Sequence, residues 1–172
     1  MNRLLGLVGR DIKYSYSQVI ADEYFKQNNI NAHYSIFDIS SVDDIDKIVV
    51  SNENLCGFNV TIPYKEQVIP FLDELDEDAA NIGAVNVIKI IHENNNLKLK
   101  GYNSDVIGFC DSISPLLKPH MKKAMILGTG GAAKAVMYGL NKFGIDSQLV
   151  SRKKTDNTIT YTDIDKNIID EY

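Results

Sequence analysis

Ala124-Met125-Ile126-Leu127-Gly128-Thr129-Gly130-Gly131-Ala132-Ala133 is an apolar run broken by glycines and closed by alanines. It fits the G-x-G-x-x-A form of a dinucleotide-binding turn. In such a turn the glycines let the backbone approach a pyrophosphate, and the N–H groups opening the next helix point at it. Many proteins carry the fingerprint by chance, so its surroundings decide. Here residues 124–127 read as a buried strand, Val136, Leu140 and Phe143 recur on one face of a following helix, Gly144 can end that helix, and 148–150 resume a strand. The candidate cofactor contacts are Gly128, Gly130, Gly131, Ala132 and Ala133. Beyond the second strand stands Ser151-Arg152-Lys153-Lys154, where an NAD site would carry an acid for the ribose 2'-hydroxyl. Three cations there favour a 2'-phosphate and hence NADP, with Ser151, Arg152 and Lys153 as the contacts. An ordinary solvated basic turn is the competing reading.

Working outward toward the amino terminus, strand and helix patterns keep alternating. Residues 4–8 read as a buried strand that Gly9 breaks. Val19, Ile20, Tyr24 and Phe25 give 16–27 a helical face, 32–39 alternate as a strand, 42–50 form a short helix, and 55–60 make a third strand. That rhythm predicts an α/β fold, with a mainly parallel sheet covered on both faces. The acidic stretch 73–78 reads as a solvated loop leading into a helix that ends near Ile82. An apolar strand to about Ile91, a turn at Asn94-Asn95-Asn96 and a return through 97–102 predict an antiparallel hairpin at the sheet edge. A helix from Asp105 to roughly Leu117 follows, with Val106, Ile107, Phe109, Ile113 and Leu116 facing a core. Pro115 and Pro119 bracket a basic, polar stretch that makes a boundary. The expected organisation is a substrate domain over 1–104, a linking helix and boundary over 105–120, and an incomplete Rossmann-type nucleotide domain over 121–172.

The chemistry concentrates in Gly57-Phe58-Asn59-Val60-Thr61-Ile62-Pro63-Tyr64-Lys65. Asn59 and Thr61 fall at the carboxyl end of a strand, the edge that faces the ligand crevice in open α/β sheets. Pro63 suits the first position of a helix, and Lys65 would follow one turn in. With apolar Val60, Ile62 and Val68 close by, its amine could lose hydration and titrate low enough for proton transfer near neutral pH; a solvated surface lysine is the alternative. Ser15 and Ser17 precede a helix. One serine is explained by capping, with Ser17 as the cap, but two hydroxyls at a helix start also suit an anionic carboxylate. Asp105 fits a helix amino terminus on dipole grounds alone, or serves chemistry.

The net charge of -5 argues against nucleic acid as the main partner, and 44% apolar content supports a packed core in a chain of 172 residues. No apolar run approaches the roughly 18 residues of a membrane span, so no membrane partner and a cytoplasmic location are expected. Cys56 and Cys110 read as buried free thiols, and His33, His92 and His120 lack ligand spacing, so no metal is expected.

Several separated pieces agree with one family. Gly6-Leu7-Val8-Gly9, Ser15-Tyr16-Ser17, the run from Asn59 to Lys65, Gly83-Ala84-Val85-Asn86, Asn103-Ser104-Asp105 with Gly108-Phe109, and Gly128 to Ala132 resemble shikimate dehydrogenase in order and spacing along nearly the whole chain. The resemblance implies NADPH-dependent reduction of 3-dehydroshikimate to shikimate. It implies that Ser15 and Ser17 hold the substrate carboxylate, that Asn59, Thr61, Asn86 and Asp105 meet its oxygens, and that Lys65 and Asp105 form a catalytic pair. Tyr14, Gln18, Val87 and Ser104 depart from residues common in the family, as does Ser151-Arg152-Lys153 from its usual Asn-Arg-Thr. The resemblance also implies further strands and a closing, glutamine-bearing helix beyond Tyr172, so the chain is expected to be a piece of a longer protein, monomeric or homodimeric. A non-catalytic small-acid-binding fragment and a quinate/shikimate dehydrogenase using NAD are the alternatives.

Overall fold

The computed structural model describes residues 3–93 and 96–172, so Asn94 and Asn95 of the expected turn lie outside the described residues. Contacts divide the chain into two units. One runs to Ala80 and resumes over Val85–Tyr102; the other comprises Asn81–Ala84 and Asn103–Tyr172. The division therefore falls at Tyr102, not across 105–120. Ile82 and Ala84 are buried together with Val106 and Ala135, and this shared cluster draws the helix beginning at Asp105 into the second unit.

The first unit holds six strands: β1 (Arg3–Gly9), β2 (Ala32–Asp38), β3 (Leu55–Val60), β4 (Glu74–Leu75), β5 (Val87–Glu93) and β6 (Asn96–Tyr102). They lie in the order β2-β1-β3-β5-β6-β4. β1 runs parallel to β2 and β3, as the βαβ rhythm predicts, whereas β5 is antiparallel to both β3 and β6. The sheet is thus mixed, and the β5–β6 hairpin lies inside it. The edge is the short β4, parallel to β6. The acidic stretch supplies that edge because its carboxylates have partners: Asp73 accepts from the Leu99 N–H at 2.7 Å, and Glu74 pairs with Lys98 and Lys100.

Three helices accompany this sheet: α1 (Ser17–Gln27), α2 (Ile45–Ser51) and α3 (Glu77–Ile82). Leu4, Val8, Phe58, Val60 and Ile88 from the strands meet Ile45, Ile48 and Val49 of α2, with Tyr64 and Val68, in one buried cluster. Each such side chain contributes about 1.5–3 kcal/mol relative to exposure. α1 behaves differently. Ala21 and Phe25 pack toward Leu7, Ile12 and Tyr34, but Val19, Ile20 and Tyr24 are exposed, so only part of the apolar face read from the sequence meets a core.

The second unit contains α4 (Asp105–Ile113), β7 (Lys123–Leu127), α5 (Gly131–Lys142), β8 (Asp146–Ser151), β9 (Thr158–Thr160) and α6 (Lys166–Glu171). β7, β8 and β9 form a parallel sheet in that order. α4 packs on α5 through Gly139, where a Cβ would stand only 2.7 Å from the Phe109 ring. Val106 is buried, but Ile107 and Leu116 are exposed, because neighbours such as 106 and 107 cannot share one face of a helix. α5 ends in a Schellman motif, with the Ile145 N–H donating to the Leu140 carbonyl and that of Gly144 to Asn141. A doubly wound fold would join β8 to β9 by a helix. Here the polar stretch 152–157 makes the link without one, closed by a bridge between Thr155 and Thr158. Among the described residues no helix is long and apolar enough to cross a membrane, and Cys56 and Cys110 are free and half-buried.

Candidate functional site

In the first unit the polar residues gather where β3 ends and β5 begins. Antiparallel pairing sets Asn59 opposite Val87, so Asn86, one step before β5, lies beside Val60 at the end of β3. The carbonyl of Asn86 accepts from the Val60 N–H at 2.9 Å and from the Asn59 side chain at 3.4 Å, while its own N–H donates to Tyr102. Thr61 donates its N–H to Val8, and a Cβ placed on Gly9 would stand 2.7 Å from the Thr61 methyl. β1 and β3 therefore fix Thr61 from one side. Asn86 is buried and Asn59 and Thr61 are half-buried.

Lys65 is carried differently from the expectation. The Ile62–Pro63 peptide is cis, and Pro63 opens no α-helix. The chain from Thr61 passes through successive turns, with Tyr64 bonding back three residues to Thr61 and Val68 four residues to Tyr64, before a single 3-10 turn over Ile69–Phe71. Mixed three- and four-residue spacings prevent a regular helical ladder. The turns are nonetheless anchored: Tyr64 and Val68 are buried, the Tyr64 hydroxyl donates to the Ile39 carbonyl at 2.8 Å, and Val85 donates its N–H to the Lys65 carbonyl at 2.7 Å. Of the apolar neighbours expected to surround the amine, Val60 and Val68 are buried but Ile62 is 59% exposed.

The serine pair also departs from simple capping. Ser17 is the first residue of α1, and its own N–H donates to Ser15 Oγ at 3.2 Å; the Ser15 hydroxyl donates in turn to Ser17 Oγ at 3.0 Å. Ser15, not Ser17, serves the helix start. Ser17 and Asn59 both line a groove of about 420 Å³ together with Leu5, Ile20, Ala21, Tyr24, Phe25 and Tyr34. A hydroxyl and an amide facing one groove suit a ligand bearing oxygens. Ser15 joins them through its bond to Ser17, and Asn86 through its bond to Asn59.

Two residues given no role by sequence stand out. Tyr34 on β2 donates its hydroxyl to Asn59 Oδ1 at 2.7 Å. Burial pushes its phenol up to about 12. Only strand pairing reveals this partner, since 25 positions separate the two residues. In the second unit, Asn103 is 3% exposed; it donates to the Ala84 carbonyl and accepts the N–H of Asp105, fixing the start of α4. Here the signal was present in the Asn103-Ser104-Asp105 spacing, which is that of a side chain bonding two residues ahead.

The glycine turn of the second unit fits a pyrophosphate. Gly128 adopts a φ of 132°, a conformation that costs a residue with a Cβ dearly, and no heavy atom stands within 4 Å of where a Cβ would be on Gly128 or Gly130. Gly130 is the N-cap of α5 and no side chain caps it, so the N–H groups of Gly131, Ala132 and Ala133 open the helix. Past β8, Lys153 donates its N–H to Ser151 Oγ, and the Lys154 amine lies 3.7 Å from the Asp163 carboxylate. Arg152 and Lys153 are exposed at the strand tip. The residues present thus accommodate a phosphate-bearing dinucleotide. Among the described residues, no group of three or more His, Cys, Asp and Glu side chains is arranged to hold a metal ion.

Residues 7–88 match the model of the shikimate dehydrogenase substrate binding domain. The chain is 38% identical over 154 residues to the shikimate dehydrogenase (NADP(+)) of Caldanaerobacter subterraneus subsp. tengcongensis, covering 88% of this chain and 53% of that protein. Among solved structures it resembles shikimate dehydrogenase 1 from Peptoclostridium difficile, with TM-score 0.78 and 34% identity over 92% of this chain and 60% of that one. It also resembles the quinate dehydrogenase of Corynebacterium glutamicum in complex with NAD, with TM-score 0.76 and 28% identity over 88% and 56% of the two chains. The chain spans about half the length of the curated relatives it matches.

Proposed function

We propose that this chain supplies the substrate domain and the first part of the nucleotide domain of an NADP-linked shikimate dehydrogenase. Such an enzyme interconverts 3-dehydroshikimate and shikimate on the way to chorismate and the aromatic amino acids. The observation that carries the reading is the bonded pair Asn59 and Asn86 at adjacent strand ends, inside a stretch that matches the substrate-binding model.

In this reading Ser15 and Ser17 hold the substrate carboxylate, and Asn59, Thr61, Asn86 and Asp105 meet its oxygens. Reduction of the ketone leaves an alkoxide that must take a proton. An ammonium at Lys65 stabilises that charge and donates the proton, with Asp105 sharing the proton chemistry. The bound nicotinamide cofactor supplies the hydride. Gly128, Gly130, Gly131, Ala132 and Ala133 receive its pyrophosphate, while Ser151, Arg152 and Lys153 take the 2'-phosphate, which selects NADP. The protein works in the cytoplasm as a monomer or homodimer, without a nucleic-acid or membrane partner.

The test is NADPH formation from shikimate, followed by absorbance, with quinate and NAD as parallel arms. A preference for shikimate and NADP of at least about tenfold in kcat/KM is the expected result. Preference for quinate with NAD would favour the quinate dehydrogenase reading. Shikimate binding without turnover by the full-length protein would leave a small-acid-binding protein.

A further inference from the structure

We propose that Tyr34 is a positioning residue that holds the Asn59 carboxamide in the orientation it presents to the substrate groove. The proposal rests on the function read above and names a side chain that reading does not include. A carboxamide offers two N–H donors and a carbonyl oxygen with two lone pairs, and its two ends are nearly equal in shape. Nothing local to Asn59 decides which end is presented. The fold decides it twice: Oδ1 accepts from the Tyr34 hydroxyl at 2.7 Å, and Nδ2 donates to the Asn86 carbonyl at 3.4 Å. The Asn86 carbonyl can only accept and so fixes the nitrogen end, while the Tyr34 hydroxyl, in the shorter of the two bonds, holds the oxygen end in place.

Tyr34 can hold this arrangement because it is itself held. Its N–H donates to Asp22 of α1 at 3.3 Å, its ring packs with Leu7 and Ile12, and it is 6% exposed. Its raised pKa keeps the phenol a donor throughout the neutral range. One amide N–H of Asn59 then remains for the groove that Asn59, Tyr34 and Ser17 line. The groove therefore presents a donor, which matches an oxygen acceptor on the ligand, a carboxylate or a hydroxyl oxygen. Without the phenol Oδ1 loses its fixed donor, and the amide is held only by the longer bond to the Asn86 carbonyl.

The test uses the full-length protein and calorimetry with shikimate. Tyr34→Phe keeps the ring and is expected to weaken shikimate binding about tenfold, the usual scale for one buried hydrogen bond lost. In steady-state kinetics the loss should fall on KM, with kcat within about twofold, a split that general destabilisation would not produce. The double variant Tyr34→Phe with Asn59→Ala should bind no more weakly than Asn59→Ala alone, since the tyrosine acts through the amide. Asn59→Asp is the second probe and leaves the core tyrosine in place. It keeps an oxygen for Tyr34 but removes the N–H, so binding must fall by about tenfold or more. Additive effects in the double variant or an unchanged affinity in Tyr34→Phe would each overturn the inference while leaving the proposed function intact; undiminished binding by Asn59→Asp would overturn the inference and also take Asn59 out of the substrate contacts. Failure of the unaltered protein to bind shikimate would overturn both.

Discussion

In the function proposed above, the two units would recognise their ligands with different parts of the chain. In the first, side chains are presented by a six-stranded sheet over a large buried cluster, and each polar group is fixed by strand pairing: Asn59 through Tyr34 and Asn86, Thr61 through β1. In the second, a three-stranded sheet rests on a smaller core of Ile126, Leu140 and Ile145, and the presented groups are the backbone N–H donors of a glycine turn. The difference is chemical. A small acid with several oxygens must be told from its isomers, which demands side chains of defined type and orientation. A pyrophosphate carries charge and little asymmetry, so bare amides suffice and a side chain would obstruct. Loss of a side chain should therefore wound the first unit, whereas gain of one should wound the second.

The largest expected effect breaks the chemistry of the first unit alone. Lys65→Met keeps length and apolar volume and removes the ammonium, so kcat of the full-length protein should fall about 10²- to 10⁴-fold, the range for lost general acid catalysis. Shikimate affinity should change far less. A drop in kcat below about tenfold would take Lys65 out of proton transfer. Next in size is Gly128→Ala. The new Cβ meets open space, so the cost is purely one of backbone, about 1–3 kcal/mol for a residue forced to a φ of 132°. NADPH binding should weaken accordingly, by roughly ten- to a hundredfold, while calorimetry finds shikimate affinity unchanged. Equal losses for both ligands would show that the units are not separately organised.

The same contrast explains what could be read in advance. The strand–glycine–helix turn was legible because its information is local: Gly128 and Gly130 sit between an apolar run and an amphipathic helix, and only residues within a few positions matter. β3 was legible to the residue for the same reason. What escaped was set by partners distant in sequence. β4 forms because Asp73 reaches the Leu99 N–H, 26 positions away, which no window over the acidic stretch contains. The turns around Pro63 depend on Tyr64 reaching Ile39 and Val85 reaching Lys65; locally, a proline followed by good helix formers reads as a helix start. The link between β8 and β9 lay outside what the fingerprint reads, and 152–157 carry no apolar periodicity from which to place it. Tyr34 needed the register of three strands before it could be placed beside Asn59.

A smaller effect sharpens the contrast from the side of the second unit, where one side chain is expected to matter. Arg152→Ala removes a cation at the tip of β8 that needs no strand partner to be presented. The ratio of kcat/KM for NADPH over NADH should fall about tenfold, with NADH use nearly unchanged. If both cofactors lose equally, Arg152 reads a feature common to them and the 2'-phosphate lies with Lys153.

The smallest effect concerns Asp163, which ties the end of β9 to the basic turn. Its carboxyl sits below the ordinary carboxylate value, first because it accepts the backbone N–H of Thr160 and then the Thr160 side chain, with Lys154 adding a further pull. A group depressed in the folded state stabilises that state fully above its unfolded pKa, and the contribution fades as pH falls through the depressed value. Asp163→Asn should therefore lower the thermal midpoint slightly at neutral pH, and the gap from the unaltered protein should close in acid, where both carry an uncharged side chain. Because Lys154 is exposed and its pairing is screened, most of the gap should survive added salt, leaving the Thr160 bonds as its main source. Shikimate affinity should not move, since the bonds concerned lie within the second unit. A gap that stays constant from neutral pH into acid would mean that the Asp163 charge contributes nothing to it, which would overturn the account of the depressed carboxyl.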